Sequence, residues 1–105
     1  PDFDAINFTQ DGAWHELDLS GIIPVGVKAV SVRIKIGDAV VQKRARFRAV
    51  GDTNTLHTCE IHSQVSNFFI VARFDIGVDS NRKIEYYIDA PGISTLQLVI
   101  RAWWF

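Results

Sequence analysis

The 105-residue chain has one cysteine, Cys59, no methionine and only three prolines. A lone cysteine excludes an internal disulfide, so packing or partner subunits must hold the fold. No apolar run approaches the ~20 residues of a membrane-spanning helix, which excludes insertion by that route. Pro1 to Phe8 carries Asp2 and Asp4 but no basic residue, so this stretch does not read as a secretory signal, while a signal removed ahead of Pro1 stays compatible with the sequence. A chain that begins at Pro1 and contains no methionine suits either removal of an initiator or excision from a longer polypeptide, of which excision is the expectation. Composition leaves the compartment open.

Strong charge of one sign is also lacking. Eleven Lys and Arg face twelve Asp and Glu, and the net charge of -1 argues against a dedicated nucleic-acid binder. There is no GxSxG elbow, no Gly-rich phosphate loop, no HExxH and no paired-cysteine motif. Glycosidase chemistry needs two carboxylates at a set separation, and among twelve acids some pair is unavoidable, so none is singled out. No catalytic residue and no cofactor are assigned, and the domain is expected to be non-enzymatic.

What is present is alternation. The hydrophobic fraction of 48% and charged fraction of 22% are those of one globular domain spanning 1–105. Val30, Val32, Ile34 and Ile36 alternate with Ser31, Arg33 and Lys35, the two-residue period of a half-buried strand. Ala45, Phe47 and Ala49 alternate in the same way with Arg44, Arg46 and Arg48. A turn around Gly37-Asp38 is expected to join these two segments as an antiparallel hairpin. Further strands are predicted at Trp14 to Leu19, Leu56 to Val65, Phe68 to Ile76, Lys83 to Asp89 and Thr95 to Phe105. Turn-forming clusters separate them: Ser20-Gly21 with Pro24 and Gly26, Gly51 to Asn54, Asp79 to Asn81, and Pro91-Gly92. No window of a dozen residues carries a 3.6-residue period. The expected fold is therefore all-β, an antiparallel β-sandwich of jelly-roll or immunoglobulin-like type with about seven or eight strands.

Metal sites find little support. His57 and Cys59 are two apart and would share a strand face, but third and fourth ligands are not evident, and His15 and His62 lack metal-site context. Ordinary strand residues, with Cys59 as a small buried hydrophobe, are the plainer reading. An EF-hand loop starting at Asp75 would need an acid where Tyr86 stands, so an Asx-type turn within the run Asp75 to Asn81 is expected instead of a calcium site. No metal site is predicted.

Two surface features carry the functional expectations. If the hairpin forms, Arg33, Lys35, Arg44, Arg46 and Arg48 crowd one solvent face that attracts anions such as acidic polysaccharide, lipopolysaccharide phosphate or nucleic acid. The plainer reading is a solvated face cross-paired with acids of a neighbouring strand or subunit. The chain also closes on Trp103, Trp104 and Phe105. With Leu96, Leu98, Ile100, Ala102 and Trp104 facing inward, Val99, Trp103 and Phe105 would line the other face, an apolar patch that monomers rarely leave bare. A subunit interface, contact with Phe3 and Phe8, and a sugar-stacking platform are the readings, in that order.

The stretch from Trp14 to Val30, Gln64-Val65-Ser66-Asn67, the run from Asp79 to Tyr86, and Ala102-Trp103-Trp104 together resemble a small domain of tailed-phage virion proteins, often placed near the ends of tail-fibre-like chains. The likeness covers most of the chain from Trp14 onward, while Gly51 to His57 and Phe68 to Ile76 depart from the pattern. It implies a virion or extracellular setting and a structural or adhesion role. It also implies a homo-oligomer, a trimer foremost, that contacts a cell-surface glycan. A carbohydrate-binding module of a larger carbohydrate-active enzyme is the alternative. The resemblance transfers no binding residue.

Overall fold

A computed structural model describes residues 2–38, 43–54, 57–64, 68–89 and 93–105. After a short 3-10 turn, Ala5–Asn7, the described residues form seven strands: β1 Trp14–Asp18, β2 Ala29–Gly37, β3 Arg44–Ala49, β4 Cys59–His62, β5 Ile70–Gly77, β6 Lys83–Ile88 and β7 Thr95–Trp104. They make two antiparallel sheets, ordered β1-β6-β3-β4 and β5-β2-β7. The ends of the predicted fourth strand, Leu56 and Val65, the predicted Pro91-Gly92 turn, and Val65 to Asn67 of the phage-like pattern lie outside the described residues.

The ladders nest: β3 pairs with β4, β2 with β5 and β1 with β6. A long two-stranded ribbon is thus rolled over so that β6 also lies against β3, and β7 is added beside β2. This is winding of the jelly-roll kind. An immunoglobulin arrangement would place β1 and β2 side by side in one sheet, whereas here they belong to different sheets.

Alternation in the sequence becomes the two sides of each sheet. Leu17, Ile84, Tyr86, Ile88, Ala45, Phe47 and Ile61 project from the four-stranded sheet, and Val30, Val32, Ile34, Ile36, Ile76, Leu96 and Leu98 from the other; all are buried. Each Val, Leu, Ile or Phe among them stabilises the fold by ~1.5–3 kcal/mol on burial. Phe47 and Phe74 join the two layers, with ring centres 6.4 Å apart.

The N-terminal arm closes part of an open edge. Leu98 exchanges backbone hydrogen bonds with Phe3, and the Ile100 amide donates to the Asp2 carboxylate at 2.7 Å. Phe8 packs edge-on against Tyr86 at 4.9 Å, and the Thr9 amide donates to the Tyr86 hydroxyl at 2.8 Å. The middle of β7 is thereby protected from edge-to-edge pairing.

Two expectations are corrected. The β2–β3 hairpin does not form: β2 pairs with β5 and β7, and β3 with β4 and β6. The apolar sides of β2 and β3 do meet, but across the core, because alternation fixes which side is oily and not which strand is the neighbour. Second, Trp104 does not face inward with Leu96, Leu98 and Ile100. The register shifts between Ser31 and Val32, so that Ala102 opposes Ser31 while Ile100 opposes Val32, and Arg101 is the extra residue of a β-bulge. Beyond it the sides exchange: Trp103 opposes inward-facing Val30, and Trp104 opposes outward-facing Ala29.

Candidate functional site

The outer side of the four-stranded sheet carries a row drawn from all four strands. Trp14 opposes Tyr87, Tyr87 opposes Arg46, and Arg46 opposes Glu60. In the next row Glu16 opposes Glu85, and Glu85 opposes Arg48. Strand alternation therefore brings rings, guanidinium groups and carboxylates onto one surface. Arg46 donates to Glu60 at 2.7 Å and Arg48 to Glu85 at 2.9 Å. Arg44 reaches Asp89 at 3.2 Å, and that carboxylate raises the already high pKa of the guanidinium.

These arginines also lie against rings. The Arg48 guanidinium carbon is 3.7 Å from the centre of Trp14 and that of Arg46 is 5.3 Å from Tyr87, both within cation–π range. Trp14, Arg46, Arg48, Thr58 and Glu60 line a groove of about 400 Å³. An aromatic wall, forked donors held by carboxylates, and a hydroxyl form a surface suited to a neutral or weakly charged polar ligand such as a sugar.

The structure divides the predicted basic face. Arg44, Arg46 and Arg48 stay together on the four-stranded sheet, each joined to an acid of a neighbouring strand or loop, which is the cross-paired arrangement. Arg33 and Lys35 are on the outer side of the three-stranded sheet, the opposite surface of the sandwich. There Arg33 stands directly across from Arg73, and the Lys35 ammonium lies 4.3 Å from the Phe69 ring centre.

The aromatic end does not form the expected single platform. Val99 opposes Arg33 on the outer side, Trp103 opposes Val30 on the inner side, and Phe105 follows β7 and lies near Gly26. Trp103, Trp104 and Phe105 are 40%, 49% and 73% exposed, so the end of β7 still presents apolar surface. Phe3 and Phe8 pack at the middle of β7 and on Tyr86 and leave these rings uncovered.

The remaining candidates have local partners. His57 precedes β4 and meets the Asp52 carboxylate at 2.8 Å, and this hydrogen bond lowers the Asp52 pKa. His15 does the same for Asp11, also at 2.8 Å. Cys59 opposes Phe47 on the inner side, where burial pushes its thiol pKa up and makes it less reactive. The Asp79 carboxylate accepts from the Asn81 and Lys83 amides at 3.0 and 2.8 Å, the Asx turn expected there, and Arg82 adopts a positive φ of 61° within it. Among the described residues no three His, Cys, Asp or Glu side chains gather as a metal site.

Sequence reasoning missed Trp14, Tyr87, Glu60, Glu85 and Arg73 as site residues. Glu60 and Glu85 sit between inward-facing neighbours, which marks them as outward; their partners followed only from inter-strand register. No protein-family model matches the chain, and neither does any curated protein or solved structure.

Proposed function

We propose that the chain is a non-enzymatic structural and adhesion module of a phage virion or tail-fibre-like protein, and that its four-stranded face contacts cell-surface glycans. The observation that carries the reading is the groove of Trp14, Arg46, Arg48, Thr58 and Glu60, where a ring and fixed polar groups converge. The phage setting is supported by the likeness of the Trp14 to Val30 stretch and of Ala102-Trp103-Trp104 to virion domains. The exposed aromatic end supports association with further copies in an extracellular particle.

The test is binding of the intact domain to an array of bacterial surface polysaccharides. The wild-type chain retains one or more glycans, and Trp14→Ala weakens that binding at least tenfold while circular dichroism shows an intact sheet. Absence of binding by folded wild type removes the adhesion assignment, and unchanged binding by Trp14→Ala removes the four-stranded face from it. A carbohydrate-binding module of a larger enzyme shares the groove but differs in assembly. Light scattering gives a concentration-stable trimer for the fibre domain and a monomer for the lone module.

A further inference from the structure

The outer side of the three-stranded sheet holds a like-charge pair without the compensation found on the other sheet, where the opposed Glu16 and Glu85 meet Lys83 and Arg48. Arg33 on β2 and Arg73 on β5 are directly opposed in an antiparallel ladder, and both are exposed. Such a pair has Cβ atoms about 5 Å apart, and like charges so placed destabilise a sheet. Neither guanidinium makes an ion pair or a side-chain hydrogen bond among the described residues. On the opposite surface Arg44, Arg46 and Arg48 each have a carboxylate within 3.2 Å. Asp75, the acid two residues from Arg73, opposes Ser31 instead. One row further along stands Lys35, held beside Phe69.

We propose that Arg33 and Arg73, with Lys35 beside them, form an oxyanion site, and that the anion it takes is an acidic group of a charged polysaccharide. Two guanidinium forks on adjacent strands suit the paired oxygens of a carboxylate or phosphate. Bound there, the anion supplies the negative charge that the Arg33–Arg73 row itself lacks. Val71 and Val99 flank the forks, Asp75 occupies the adjoining row on one side and Lys35 that on the other, and Trp104 shares the same side of the sheet, opposite Ala29. Four residues of strand separate the Trp104 row from the Arg33 row, about 13 Å. A ring at one end and a cation cluster at the other fit a sugar chain that stacks on Trp104 and places its acid between the arginines. The site is on the face opposite the Trp14 groove, so Trp14→Ala, which tests the adhesion reading, leaves it intact.

The experiment uses the intact chain with inorganic phosphate, polygalacturonate and a single-stranded DNA oligonucleotide as probes. Phosphate raises the thermal midpoint of wild type above that in chloride of equal ionic strength, since a ligand of the folded state alone stabilises it. Arg33→Gln and Arg73→Gln abolish that rise and weaken polygalacturonate binding in calorimetry at least tenfold; Lys83→Gln, on the other sheet, changes neither. In low salt without phosphate, Arg73→Gln melts higher than wild type because the repulsion is gone. Arg73→Lys, which keeps the charge and loses the fork, binds at an intermediate level and serves if a glutamine variant does not fold. Arg73→Gln binding within twofold of wild type, or an equal loss in Lys83→Gln, overturns the site. Tighter binding of the oligonucleotide than of polygalacturonate overturns its assignment to a glycan.

Discussion

Arg48 joins Trp14 to Glu85: its guanidinium carbon lies 3.7 Å from the indole centre while its Nε donates to Glu85 Oε1 at 2.9 Å. The same carboxylate oxygen accepts from the Gly51 amide at 3.2 Å, so one acid on β6 holds β3, the turn that follows it and, through Arg48, the ring on β1. Groove geometry and sheet stability therefore share a residue. This pair is largely sheltered, at 16% and 17% side-chain exposure, which separates it from a surface ion pair.

Glu85→Ala is expected to lower stability by about 1.5–3 kcal/mol, the range for hydrogen bonds to charged groups, and to weaken glycan binding by freeing Arg48. Glu60→Ala removes the partner of Arg46, a pair at 28% and 39% exposure, and should cost under about 1 kcal/mol. Urea unfolding of both variants checks the contrast. Equal losses would mean that Glu85 is not the organising contact.

Phe47 is fully buried and meets Phe74 of the other sheet. Phe47→Ala should destabilise by ~3–5 kcal/mol through lost burial and a residual cavity, with Phe47→Leu milder. A denaturation midpoint within error of wild type would place the contact between the layers elsewhere.

Much of this fold is legible in the sequence because burial on one side of each strand demands a two-residue period: Val30 to Ile36 and Ala45 to Ala49 read directly as β2 and β3. Pairing is not legible in the same way. Both segments have oily sides, and a shared core satisfies them across the sandwich as well as a hairpin would, so the basic face predicted as one surface is two. Arg101 shows the same limit at a single residue. One extra residue in a ladder reverses every later side chain, and nothing in Ile100-Arg101-Ala102 marks it. The groove depends on register as well, since Trp14, Tyr87, Arg46 and Glu60 are brought together only by which strand lies beside which.

The exposed aromatic end gives a prediction about assembly. Light scattering should show a trimer that persists on dilution, and Trp103→Ser should shift it towards monomer, because Trp103 is 40% exposed beside the more open Trp104 and Phe105. An assembly as stable as wild type in this variant removes the aromatic end from the interface.

Part of the domain's acid sensitivity should come from three exposed carboxylates held below the ordinary value of 3.8. Asp11 is lowered first by its hydrogen bond to His15, Asp52 by that to His57, and Asp18 by the Ser20 amide, which donates at 2.8 Å. Each releases its proton more readily folded than unfolded. Their contribution is thus fully present above pH 3.8 and is lost as pH falls through the lowered folded values, where the unfolded chain binds more protons. The urea midpoint should therefore fall below that pH, and Asp52→Asn and Asp11→Asn should each slightly flatten the fall while lowering the midpoint at pH 5. A double variant with the acid slope of wild type would show that these hydrogen bonds do not govern the transition.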